Sequence, residues 1–362
     1  MGRIILNMNC KLYWWGCLIV LICGSCKSPV DQLVMYQGST MGTTYHVRIY
    51  SDQVKDSLAI HLKQATDSLL YRVNQGISTY DQNSVISLFN QTHHHQIKFP
   101  DSDSVQTAIP HFFNNLLVAE QVNGWSNGLF DPTVMPLVNY WGFGYAGRHQ
   151  VEHPDTVVIQ QLLKRVGFNK IKFDYDSLTQ AYQLYKSDST LELDFGGIGQ
   201  GYGADQIARY LDAQHFDHYL VELGGELVAK GNKPDGTDWL VGLNTPLEEA
   251  ESNDIFSKVR LKDNALTTSG NYRNFYKSGD QTFSHTIHPK TGFPERSTLL
   301  SVSLIGPDCT SIDAMATACM AMGIEKSRHL VVSLGMEAYY IYREGDSLRV
   351  DMTPGFKVFL AK

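Results

Sequence analysis

Between Leu193 and Asp205 the chain reads LDFGGIGQGYGAD, with five glycines separating an apolar stretch from a helical one. Leu191 to Phe195 has the character of a strand, and Tyr202 to Leu211 has helical spacing. A corner this rich in glycine lets the backbone turn sharply and leaves helix-start N–H groups open to phosphate. Glycines that merely permit a tight turn are the other reading. The form Gly199-x-Gly201-x-x-Ala204, with Glu222 further on, also fits a dinucleotide-binding oxidoreductase. Against that, the segment lies mid-chain after a meander, and no second βαβ unit follows.

The rest of the chain is an irregular mixture. Strands are expected at 45–50, 171–173, 181–185, 191–195, 219–223, 226–229, 239–243, 259–261, 301–305 and 338–342. Helices are expected at 54–73, 105–122, 202–211, 312–322 and 325–334, with a further one through Leu162 and Val166 ended by Gly167. Hairpins interleaved with single helices predict an α+β fold of mixed, largely antiparallel sheets with inserted helices.

In SIDAMATACMAMG, Asp313 and Thr317 stand four apart, so a helix presents both on one face. A carboxylate and a hydroxyl are hard oxygen ligands suited to Mg²⁺. An Asp favoured near a helix start by the dipole is the plain alternative. His93-His94-His95 lies in a polar turn and reads as surface.

Residues 1–25 read as a signal peptide, with Arg3 and Lys11 ahead of LYWWGCLIVLIC, a run too short for a comfortable span. Cys23-Gly24-Ser25-Cys26 has the look of a lipobox, making Cys26 the lipidated residue; an uncleaved anchor is the alternative. Either way the remainder, a tether over 26–34 and one domain over 35–362, is expected outside the cytoplasmic membrane, on its periplasmic side. Only Cys309 and Cys319 remain in the body, too few for a disulfide framework. A net charge of -7, without dense basic runs, argues against nucleic acid as a partner.

Five segments occur in order: STMGTTYHV (39–47), GLFDPTVMPLVNYWGFG (128–144), LDFGGIGQGYGAD, TSGNYRNFY (268–276) and SHTIHPKTGFP (284–294). With the Asp313 stretch they resemble the ApbE family of FAD:protein FMN transferases, across almost the whole mature chain. The resemblance implies the family's T-fold-related architecture. It also implies that Met41, Tyr80, Leu129, Phe130, Asp131, Asp194, Gln200, Ser269, Arg273, His285 and Ile287 contact FAD. Gly270 belongs to the same TSGNYR segment as Ser269 and Arg273. The Gly197 carbonyl, Asp313 and Thr317 would hold Mg²⁺. Gln200 stands where many members have Lys, and His288 where Asp is usual.

The activity so implied is Mg²⁺-dependent cleavage of the FAD pyrophosphate. FMN would pass to a Thr or Ser hydroxyl of an acceptor flavoprotein carrying a Ser/Thr-Gly-Ala-Thr type motif, with release of AMP. Asp313 and His285 are the catalytic candidates, His285 as the base; a structural histidine before a Pro-Lys-Thr-Gly turn is the alternative. Rival readings are an FAD pyrophosphatase giving FMN and AMP, and an FAD-binding lipoprotein without turnover.

Overall fold

The computed structural model describes residues 32–52, 57–176, 181–251, 254–271, 275–278, 281–295 and 297–361. Eight strands form one sheet in the order Gln32–Thr40, Thr43–Ser51, Tyr219–Leu223, Glu226–Lys230, Asn264–Gly270, Leu299–Gly306, Glu337–Glu344 and Ser347–Met352. Every neighbouring pair is antiparallel. A dinucleotide-binding fold of the Rossmann type needs a parallel sheet, so that reading of the glycine segment fails.

Alternation along the strands sorts side chains to two faces. Tyr219, Val221 and Leu223 point into the main core with Ala338 and Tyr340, beneath helices Leu58–Ile77, Asp103–Trp125, Gly199–Ala213 and Cys309–Met322. Leu220, Leu227, Tyr339 and Ile341 face the other way, under the hairpin Trp239–Asn244/Ile255–Leu261 and the terminal turn carrying Phe356. A third cluster joins Met135, Val138 and Trp141 to Tyr276, Phe283 and Ile287. It fastens the 128–144 segment to the 284–294 segment, and the Trp141 indole N–H donates to the Gly292 carbonyl at 2.8 Å.

Most expected elements are present, with extended ends. The exception is 191–195, which is not a strand. Its backbone groups are taken by other partners: the Asn90 amide exchanges two hydrogen bonds with Leu193 (2.9 and 2.7 Å). The Asp194 N–H donates to the Pro132 carbonyl at 2.7 Å. The hairpin Ile171–Asp176/Ala181–Lys186 takes Gln96–Ile97 as the third strand of its small sheet instead. Val166 falls beyond its helix, which spans Thr156–Leu163. Gln32–Thr40 begins a strand inside the stretch expected as tether. The helix expected from 54 runs Leu58–Ile77.

Cys309 and Cys319 are free, buried thiols. His93, His94 and His95 are exposed. Among the described residues no helix is long and apolar enough to cross a membrane.

Candidate active site

Two close approaches build the site. The helix Gly199–Ala213 runs so near Cys309–Met322 that a Cβ on Gly201 would lie 2.5 Å from the Cys309 carbonyl oxygen and 2.7 Å from the Asp313 Cβ. Only glycine fits there, and the bare backbone N–H of Gly201 donates to Asp313 Oδ2 at 2.9 Å. Two residues before that helix, a Cβ on Gly197 would sit 2.8 Å from Thr317 Oγ1. The glycine corner and the late helix therefore touch at both Asp313 and Thr317. Ser269, near the end of its strand, brings its hydroxyl to 3.4 Å from the Thr317 hydroxyl.

The helix carrying Asp313 and Thr317 is buried almost all round, being rich in Ala, Met and Cys. Its start is held by Asp205 from the neighbouring helix, whose carboxylate accepts from the Cys309 N–H (3.0 Å) and the Thr310 N–H (2.8 Å). The Asp308 side chain caps the same end by accepting from the Ser311 N–H at 2.8 Å. Asp313 is thus fixed from two directions.

One cavity of about 480 Å³ collects the predicted residues. Tyr80, Leu129, Phe130, Asp131, Asp194, Gly197 and Gln200 line it, as do Ser269, Gly270, His285, Ile287, Asp313 and Thr317. Tyr80 stands at the mouth, 76 % exposed. Met41 does not line this cavity. It occupies the tight turn between the first two strands at φ +50° and borders an adjoining cleft that shares Tyr80. Arg273 and Cys26 lie outside the described residues.

Side-chain commitments narrow the roles. The Asp131 carboxylate accepts from the Thr133 N–H and hydroxyl (2.9 and 2.6 Å) and from the Phe168 N–H (3.0 Å). It shapes the cavity wall that Leu129 and Phe130 also line. The Asp194 carboxylate accepts from the Gly196 N–H at 2.8 Å, and burial raises its pKa. Gln200 rests its amide against the Gly224 turn. His285 follows the strand Gln281–Ser284, edge-on to Phe143 at 6.5 Å between centroids. His288 accepts from the Lys290 N–H at Nδ1 (3.1 Å) and so belongs to the turn.

Electrostatics favour a cation among these oxygens. Burial pushes Asp313 up to about 7, against the pull of the Gly201 N–H. Glu226, at the start of its strand, also lines the cavity, and one of its carboxylate oxygens has no hydrogen-bond partner. Burial first, and the Asp313 charge second, raise Glu226 well above the usual carboxylate range. A buried orphan oxygen on a residue that lines the same cavity as Asp313, Thr317 and Gly197 fits a hard divalent ion.

The model of the ApbE family matches residues 41–340. This chain belongs to the ApbE family. It is 32% identical over 348 residues to the FAD:protein FMN transferase of Vibrio cholerae, covering 95% of this chain and 97% of that one. It is 31% identical over 336 residues to the Escherichia coli protein of the same name, covering 92% and 91%. Among solved structures, flavin transferase ApbE from Vibrio cholerae aligns with a TM-score of 0.77 at 31% identity, over 91% of this chain and 100% of that one. The apo form of Pseudomonas stutzeri flavinyl transferase ApbE aligns with a TM-score of 0.77 at 30% identity, over 91% and 97%.

Within this ApbE chain, sequence reasoning overlooked Glu226. Its only local signal is an acid straight after the pair Gly224-Gly225. That signal gains meaning once the turn is seen to face the cavity.

Proposed function

We propose that this chain is an FAD:protein FMN transferase. The observation that carries the proposal is the convergence of the glycine corner, Asp313, Thr317, Ser269 and His285 on one cavity. With the adjoining Met41 cleft, which meets it at Tyr80, the cavity offers room for an extended dinucleotide.

FAD is placed with its diphosphate at the glycine corner, where helix-start N–H groups favour negative charge. Phe130, Leu129 and Ile287 supply apolar wall, and Tyr80 offers a flat face at the mouth. Ser269 and Gln200 donate hydrogen bonds to ligand oxygens, and Arg273 pairs with phosphate. The Gly197 carbonyl, Asp313 and Thr317 would hold Mg²⁺. When bound, that ion neutralises charge on the diphosphate as the bond breaks.

His285 takes the proton from the acceptor Thr or Ser hydroxyl. The acceptor oxygen bonds to the FMN phosphorus, the P–O bond to AMP breaks, and AMP leaves with the electron pair. The acceptor is a flavoprotein with a Ser/Thr-Gly-Ala-Thr type motif. Lipidation at Cys26 holds the enzyme at the membrane, on the periplasmic side, near such acceptors.

The test incubates protein, FAD and Mg²⁺ with and without an acceptor domain. Flavin fluorescence retained on denatured acceptor, lost with Asp313→Ala, supports transfer. Free FMN formed equally without acceptor indicates a pyrophosphatase. FAD binding without any conversion indicates a binding lipoprotein.

A further inference from the structure

Glu226 has no part in the scheme above, although its position is tightly specified. It follows Gly224 and Gly225, whose φ values of +66° and +110° suit residues without a Cβ. This two-residue turn reverses the chain from Tyr219–Leu223 into Glu226–Lys230, pairing Leu223 with Glu226. A Cβ on Gly224 would lie 3.0 Å from the Gln200 amide, so the turn is pressed against the glycine corner.

The Glu226 side chain enters the same cavity as Gly197, Asp313 and Thr317. The residue is 5 % exposed, and its Oε2 is buried without a hydrogen-bond partner. The charged side chains that act on it, Asp313 and Glu222, are both acidic. Glu222 already accepts from the Gly225 N–H (2.8 Å) and pairs with His46 (2.6 Å). Buried carboxylate oxygens are normally satisfied by donors, and two facing acids repel unless something positive joins them. A structural acid would bond to its surroundings; this oxygen is enclosed without a donor, on a residue that lines the same cavity as Asp313.

We propose that Glu226 is a further cation-holding residue, the second carboxylate of the divalent-ion site beside Asp313. This rests on reading the cavity as a Mg²⁺ site. It adds that the protein supplies two negative charges to the ion, enough to bind it before any diphosphate arrives. The ion is then in place when FAD enters, rather than carried in with it.

Mn²⁺ titration of the nucleotide-free full chain, following the free-ion EPR signal, tests this. Wild type is expected to bind Mn²⁺, and Glu226→Gln to bind it at least tenfold more weakly. In EDTA the Glu226→Gln protein should melt at or above the wild-type temperature, because a buried amide needs no cation to balance it. Binding by Glu226→Gln within twofold of wild type overturns the inference and leaves the Mg²⁺ reading standing. If nucleotide-free wild type takes up no Mn²⁺, the inference also falls; the Mg²⁺ reading itself falls only if FAD conversion proceeds unchanged in EDTA. Should Glu226→Gln fail to fold, Glu226→Asp decides. Withdrawing the carboxylate by one methylene should weaken Mn²⁺ severalfold, and unchanged affinity overturns the assignment.

Discussion

Gly201 and Asp313 are 112 positions apart in sequence, yet the N–H of one donates to the carboxylate of the other at 2.9 Å. That bond joins the glycine corner to the cation side of the site. It exists because Gly201 has no side chain to hold the helices apart.

Gly201→Ala should therefore harm stability and ion binding together. The added methyl meets a backbone carbonyl, which cannot step aside. Overpacking of this kind costs about 1–3 kcal/mol. Urea unfolding should show the loss, and Mg²⁺ should raise the melting temperature less than in wild type.

Asp205 is a positioning residue for the helix Cys309–Met322. Asp205→Ala removes the acceptor for two helix-start N–H groups and should destabilise the fold by about 2–4 kcal/mol. Asp205→Asn keeps one acceptor oxygen and should recover about half. FAD conversion measured well below the melting temperature should fall in the same order, since Asp313 rides on that helix.

His111 should give the protein an acid-side weakness. Its Nδ1 lies 2.9 Å from the Tyr202 hydroxyl, and burial, then the Arg72 charge, lowers its pKa to about 4. In the unfolded chain it returns to 6.5. Between these values the unfolded chain binds a proton that the fold does not, so stability rises with pH there. Denaturation midpoints should drop as pH is lowered from 6.5 to 4, with a shallower slope in His111→Gln.

His285→Gln separates proton removal from binding. Transfer to the acceptor should slow by about 10²–10⁴-fold, while the dissociation constants for FAD and Mn²⁺ stay within a few fold. Equal loss of FAD affinity and turnover would make His285 a binding residue instead.

Much of this was legible from local pattern. A short apolar run marked Tyr219–Leu223, and helical spacing put Asp313 and Thr317 on one face. The strand expected over 191–195 misled because alternation reports burial, not partner. Leu191, Leu193 and Phe195 are buried, but Asn90 and Pro132 supply the hydrogen bonds. Asp131 reads as a ligand contact by motif; it lines the cavity, and its carboxylate also holds the Thr133 and Phe168 N–H groups. Glu226 could not be singled out, since the unpartnered state of its Oε2 is a property of three-dimensional surroundings.

Asp313 and Thr317 sit on a helix enclosed on nearly every side by the main core. A scaffold of this sort has no frayed, half-working form. On heating, catalysis should survive to the onset of global melting and vanish with it, leaving no milder temperature range where the folded protein is already inert.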